Sequence, residues 1–353
     1  MAQKEMKRIY SFDILRIVAV CAVVMIHISA DFIKEYDNNT MEFIWGNVFS
    51  ALSRFAVPVF LMISGALMLD TNRDISTKKI MKSTVGILVL IFSWSFIYTL
   101  GYNVLRPLVF NEPLCFSDII NTFFNGHYHM WYLYVLVGLY LITPLLRCFV
   151  KKENAGLVRG YLVFSVIIYF VVLFVNELLN GCLNQENILV DFVGNFRLNY
   201  IYEYIVYYIL GWYIVNIGFE KSTRVVIYIS GIVGLITTFV GTHIHFGNGY
   251  SDYFTSNNSL NVFLYSLTVF VFVHYLFENK NLTLGIFWIK TSRLTFGVYL
   301  IHCIFLFALK IVCDRIDIVV FEILATFIAC VVVSFVSVFI ISKIPLVKKL
   351  VRE

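Results

Sequence analysis

Hydrophobic positions in this chain come in long continuous runs rather than in strict alternation with polar ones. Runs near 10–30, 44–69, 79–103, 130–149, 157–179, 200–218, 223–245, 259–277, 291–312 and 318–342 are each about the ~20 residues that cross a bilayer core as a helix. The pattern predicts an all-α, polytopic integral membrane helix bundle of about ten transmembrane helices, with 1–353 as a single membrane domain. A β-barrel, whose strands alternate apolar and polar residues, does not fit. The two longest outer connections, 104–129 and 180–199, are expected to fold over one mouth of the bundle, and no internal repeat is visible. The first run carries Arg16 and lacks a small-residue cleavage site after it, so it reads as a retained helix rather than a signal peptide.

Composition agrees with lipid as the solvent. Of 353 residues 60% are apolar and 14% charged, and mean hydropathy is +0.83, whereas soluble domains carry about a quarter charged residues. Phe and Tyr are abundant and Pro scarce, as in long helices anchored by rings at the headgroup level. With both termini cytoplasmic, 20 of the 27 basic residues fall on inner segments and five on outer ones, with Arg16 and Arg54 inside helices. That bias sets the orientation. It also accounts for the net charge of +5 without nucleic acid, because the basic residues are spread over short segments instead of forming one stripe. No soluble domain is expected. The seven cysteines show no C-x-x-C spacing and mostly lie in apolar runs, where a thiol acts as a small hydrophobe. Cys115 and Cys182 both fall in outer loops, and their bridging is left open.

Ionisable groups inside membrane helices cost roughly 2.5–3.5 kcal/mol on insertion scales and need a partner, an interface or a wet cavity. Arg16 and His27 are eleven residues apart, which at 100° and 1.5 Å per residue places them about 20° apart around one helix and roughly 16 Å along it. One face would then offer a cation for anionic groups at one depth and an imidazole for proton transfer at another. The competing readings are a snorkelling arginine and a packing histidine. Arg54 lies too deep in its run to snorkel, and Pro58 one turn later opens the backbone there; Glu203, at the start of the sixth run, is a candidate partner. His127-x-His129 and His243-x-His245 invite a zinc reading, but no further ligand spacing supports it, and no metal is expected. Trp94 and Phe96 read as core or lipid-facing.

Motif order adds a resemblance. Asp13-Ile-Leu-Arg16 with His27, then Arg54-Phe-Ala-Val-Pro58 through Ser64-Gly65, His129-Met-Trp131-Tyr132-Leu133, Tyr140 through Pro144, and Tyr299-Leu-Ile-His302 resemble, in sequence order, the landmarks of the membrane acyltransferase-3 family. The resemblance implies transfer of an acyl group, expected to be acetyl, from cytoplasmic acyl-coenzyme A to a hydroxyl of a surface or lipid-linked glycan. His27 is then catalytic, as a general base or a transient acyl carrier, with Arg16 beside the coenzyme. Asp13, Arg54, Lys78, Lys79, Lys82, His129, Trp131, Glu203, Tyr299 and His302 become candidate substrate-binding residues. Where many members carry an R-x-x-R pair this chain has Lys79-x-x-Lys82 after Lys78, keeping positive charge while losing the bidentate fork; plain topogenic charge is the competing account. Acyl-coenzyme A would be a co-substrate, with no tightly bound cofactor. The expected setting is a bacterial plasma membrane, multi-pass, as a homo-oligomer or with a separate surface-modification partner. Two rival classes remain at this point, a secondary transporter or glycan flippase using the same His/Arg path and a catalytically silent membrane domain.

The orientation is directly testable. Cysteine labelling is expected to reach residues 111–118 from outside intact cells and both termini only after permeabilisation; labelling of 111–118 from the cytoplasmic side overturns it.

Overall fold

The computed structural model describes residues 8–73, 75–105, 107, 113–183, 188–195, 203–246, 253–280, 282–313, 318–345 and 347–351. It is 84% helical, with no strand among the described residues, and forms a polytopic helical bundle. The helices are α1 Tyr10–Glu35, α2 Met41–Ser53, α3 Ala56–Met68, α4 Thr77–Tyr98, α5 Phe116–Asn125, α6 Trp131–Phe149, α7 Ala155–Ser165, α8 Val172–Leu183, α9 Ile188–Gly194, α10 Tyr204–Asn216, α11 Lys221–Phe246, α12 Leu260–Asn279, α13 Ile286–Ser292, α14 Thr295–Cys313 and α15 Val319–Ile341. A π-helical stretch, Thr99–Leu105, prolongs α4.

Among the described residues eight helical segments are long and apolar enough to cross a bilayer, and a ninth span is counted if α13 and α14, bent by 60°, act as one. The expected run at 200–218 differs: its described helix, α10, has 13 residues, about 20 Å at 1.5 Å per residue and short of a ~30 Å hydrocarbon core. Ile205 through Ile214 are all buried. A helix wrapped by protein on every side need not match the bilayer thickness. The second run is also not one straight helix. Pro58 has no N–H to offer the Arg54 carbonyl and its ring crowds that carbonyl, so the chain breaks at Arg54–Phe55 between α2 and α3. In the connection expected over 104–129, α5 is a short helix with none of its residues buried; Cys182 lies outside the residues whose side chains are described, and Cys115 is a free thiol.

Packing is closest between α3 and α10, α11 and α12, α1 and α2, and α14 and α15. Between helices in lipid, close backbone approach and buried hydrogen bonds replace the hydrophobic drive. Asn261 donates to Thr238 at 2.8 Å and to the Phe254 carbonyl at 2.7 Å, Asn47 donates to the Phe239 carbonyl at 2.9 Å, and the Thr143 and Tyr208 hydroxyls meet at 2.8 Å. At the α3–α10 crossing the backbones touch: a Cβ on Gly65 would sit 1.7 Å from the Tyr208 carbonyl oxygen, and one on Gly211 1.9 Å from that of Met62.

Gly65→Val and Gly211→Val are therefore expected to destabilise the bundle by about 1–3 kcal/mol or more, the usual cost of overpacking, and to lower its thermal midpoint in detergent. Gly86→Ala, whose Cβ meets nothing within 4 Å, should leave the midpoint unchanged.

Candidate active site

Two cavities open towards opposite ends of the bundle, and α1 and α14 contribute to both. The first, about 560 Å³, lies at the end that holds Arg8 and Val351 and is lined by Arg16, Lys290, Arg293 and Lys343 together with Ser64, Ser292, Thr295, Tyr132, Phe296 and Tyr299. The second, about 500 Å³, is lined by His27, Asp31, Glu35, Tyr36, Tyr102, Tyr128, Cys303, Phe307, Glu322 and Thr326, among others. On α1, Arg16 faces one cavity and His27 the other. On α14, Tyr299 borders the first and Cys303 the second, so the wall between them is about one helical turn, ~6 Å, thick.

Histidine and tyrosine rings make that wall. His302 stacks on His27 with centroids 5.2 Å apart, His129 lies 5.2 Å from His302 and 6.4 Å from His27, and Tyr299 sits 5.6 Å from His129. The Tyr299 hydroxyl donates to the His129 carbonyl. His302 Nδ1 lies 2.7 Å from the Tyr299 carbonyl, an atom that only accepts, so Nδ1 carries the proton and Nε2 keeps its lone pair in the neutral ring. The Tyr98 and Tyr102 hydroxyls donate to the Leu300 and Cys303 carbonyls at 2.8 and 3.3 Å, tying α4 and its π-helical extension to α14. His27 makes no hydrogen bond to another described residue, and its half-buried ring faces the second cavity, leaving a nitrogen for a ligand.

The first cavity has the opposite character. Among the described residues Arg16, Lys290 and Arg293 have neither a hydrogen-bond nor an ion-pair partner, and Lys343 touches the Phe339 ring. Nearby, burial lowers the Arg73 pKa below the ordinary guanidinium value, the Asp70 carboxylate opposes this, and the positive charge of Arg16 adds to it. Cations gathered this way in a partly enclosed space attract anionic ligands.

The sequence-predicted residues divide accordingly. Arg16, His27, His129, Tyr299 and His302 meet at the two cavities and their wall. Asp13 does not line either cavity: its carboxylate is buried, paired with Arg8 through two bonds of 2.7 Å and bonded by the Ser292 hydroxyl. The pairing raises the Arg8 pKa, and the Ser292 bond joins α1 to the α13–α14 bend. Arg54, at the Pro58-induced break, bonds Ser50 at 2.7 and 3.1 Å. Glu203 forms no salt bridge with a described residue; it caps the start of α10 with a φ of 63°. Trp131 packs on Tyr204 at 5.5 Å, away from both linings. Lys78, Lys79 and Lys82 stand exposed on the first turns of α4 and line neither cavity. The cations that do line one, Lys290, Arg293 and Lys343, read in sequence as ordinary inner-side charge; the available signal was Lys290-x-x-Arg293 just before the Tyr299 motif. His127, weighed in the sequence only as half of a zinc pair, meets His129, and Cys303 carried no functional signal there. His243 and His245 lie elsewhere, His245 facing Glu177 at 3.6 Å. Trp94 is buried and Phe96 exposed.

A family model described as an acyltransferase domain matches residues 9–342, nearly the whole chain. No curated protein and no solved structure matches it.

If Asp13 positions helices rather than ligand, Asp13→Asn should lower thermal stability by about 1–3 kcal/mol, as expected for a buried bonding group left half-satisfied, while leaving the KM for the acyl donor within twofold in the protein that folds. A selective rise in donor KM at unchanged stability would return Asp13 to the binding residues.

Proposed function

We propose how this chain, which belongs to the acyltransferase-3 family and is a multi-pass membrane acyltransferase, carries its acyl group across the bundle. The donor is acyl-coenzyme A, entering the first cavity from the cytoplasm, and the acyl group is taken to be acetyl. Arg16, Lys290, Arg293 and Lys343 hold its phosphates, Arg by forked hydrogen bonds and Lys as point charges. The pantetheine arm runs past Tyr132 and Tyr299 and brings the thioester to the wall.

The acceptor is a hydroxyl of a surface or lipid-linked glycan bound in the second cavity, whose mixture of tyrosine rings, carboxylates and a threonine suits a polyol. His27 takes the hydroxyl proton as the oxygen attacks the thioester carbonyl; the C–S bond breaks and the thiol of coenzyme A leaves through the first cavity. General-base assistance of this kind contributes typically 10²–10⁴-fold in rate. His302, stacked on His27, and His129 keep the imidazole oriented. The reading also puts the protein in a bacterial plasma membrane with both termini inside. The observation that carries it is the pair of back-to-back cavities, cationic on one side, with His27 on the other and about one helical turn between them.

Turnover of labelled acetyl-coenzyme A in bilayers tests the assignment. His27→Gln, which keeps a hydrogen bond but takes up no proton near neutral pH, should lose at least 10²-fold in kcat while still binding donor. Arg293→Gln with Lys343→Gln should raise donor KM about tenfold, a ~1.4 kcal/mol loss, whereas Lys79→Gln with Lys82→Gln should leave it unchanged. Full turnover by His27→Gln contradicts the general-base role, and an unchanged KM in the Arg293/Lys343 variant contradicts the donor site.

A further inference from the structure

The wall also holds a set of donor atoms that acyl transfer by His27 leaves unused. His127 Nδ1 and His129 Nδ1 face each other at 2.8 Å, and one ligand atom from each of these rings and the Cys303 sulfur all lie within 4.8 Å of one another. Two imidazole nitrogens this close need one ring to donate and the other to accept, or a shared cation to satisfy both. His129 and Cys303 are almost fully buried, at 1% and 2% exposure. The ligands are braced from outside: the Tyr98 ring stacks on His127 at 4.4 Å, Tyr299 holds the His129 carbonyl, and the Tyr102 hydroxyl bonds the Cys303 carbonyl.

We propose that His127, His129 and Cys303 bind one divalent cation of the zinc class, with a fourth coordination position open to the second cavity beside His27. Two imidazoles and a thiolate are ligands that favour zinc over magnesium or calcium, and three protein ligands with one open position is the pattern of a catalytic rather than a structural zinc site. Zinc–nitrogen bonds of about 2.0–2.1 Å and a zinc–sulfur bond of about 2.3 Å set tetrahedral ligand separations of roughly 3.4–3.6 Å. The two ring nitrogens reach that by parting about half an ångström from 2.8 Å, and the sulfur, within 4.8 Å of the ring ligand atoms, closes in by about an ångström at most. On coordination the S–H bond breaks and a sulfur–metal bond forms. The released proton has an acceptor in place, because His302 Nε2 lies 3.4 Å from the sulfur while its Nδ1 is committed to the Tyr299 carbonyl. The sequence concealed the site: His127-x-His129 supplies two ligands, and the third lies more than 170 residues further along the chain.

The test reads bound metal instead of acyl transfer, so its failure leaves the acyltransferase reading standing. Tag-free protein in lipid nanodiscs is stripped with a chelator, exchanged into metal-free buffer and titrated with Co²⁺, and separately with Zn²⁺ under elemental analysis. One metal per chain is expected, with the visible bands of tetrahedral cobalt and a near-ultraviolet sulfur-to-cobalt charge-transfer band. Cys303→Ser should abolish the charge-transfer band, and His127→Ala should weaken metal binding at least tenfold, both in protein that remains monodisperse. Less than one metal for every ten wild-type chains, or a charge-transfer band that survives Cys303→Ser, overturns the proposal; should Cys303→Ser not fold, unchanged affinity in His127→Ala overturns it as well.

Discussion

A carboxylate buried in a membrane bundle has to be satisfied by other protein groups, and the partners of Asp13 set the position of much else in this molecule. Arg8 occupies its two oxygens, and the remaining bond comes from Ser292, the last residue of α13. That bond holds the bend between α13 and α14 against the start of α1. Because the bend is held there, Lys290 and Arg293 turn into the first cavity, and α14 runs from it so that Phe296, Tyr299, His302 and Cys303 follow one another towards the second. The aromatic wall is thus a consequence of where a single buried charge found its hydrogen bonds.

Much of the fold was legible because bilayer thickness imposes a length on apolar runs. The departures have local causes. Residues 200–218 read as a span by hydropathy alone; the described helix there, α10, has 13 residues and buries Ile205 through Ile214 in protein. Pro58 marked a disturbed backbone, and the break lies four residues before it, at the carbonyl its missing N–H leaves unbonded. The bend at Arg293–Leu294 carries no proline or glycine, so no turn residue announced it.

The candidate site was legible where one helix carried the information. Helical geometry alone set Arg16 and His27 on one face at two depths, and they stand at two different cavities. Residues that depend on tertiary assembly were not. A lysine in a short connecting segment looks the same in sequence whether it faces solvent, as Lys78, Lys79 and Lys82 do, or a cavity, as Lys290 does. Likewise Asp13 belongs to the first-helix motif, but its bonds to Arg8 and Ser292 at the helix junction and the company of His127 are invisible until α13 and α14 bring Ser292 and Cys303 into place.

On the proposed reading, with cavities back to back across about one turn of helix, donor and acceptor never share a compartment. Proteoliposomes with the protein in a single orientation test this most directly, with labelled acetyl-coenzyme A supplied either to the face bearing the termini or to the opposite face, and a glycan acceptor always on the opposite face. The account predicts that label reaches the acceptor when donor is supplied at the terminal face and not when donor and acceptor share the opposite one. Equal labelling from both arrangements in sealed vesicles would contradict it.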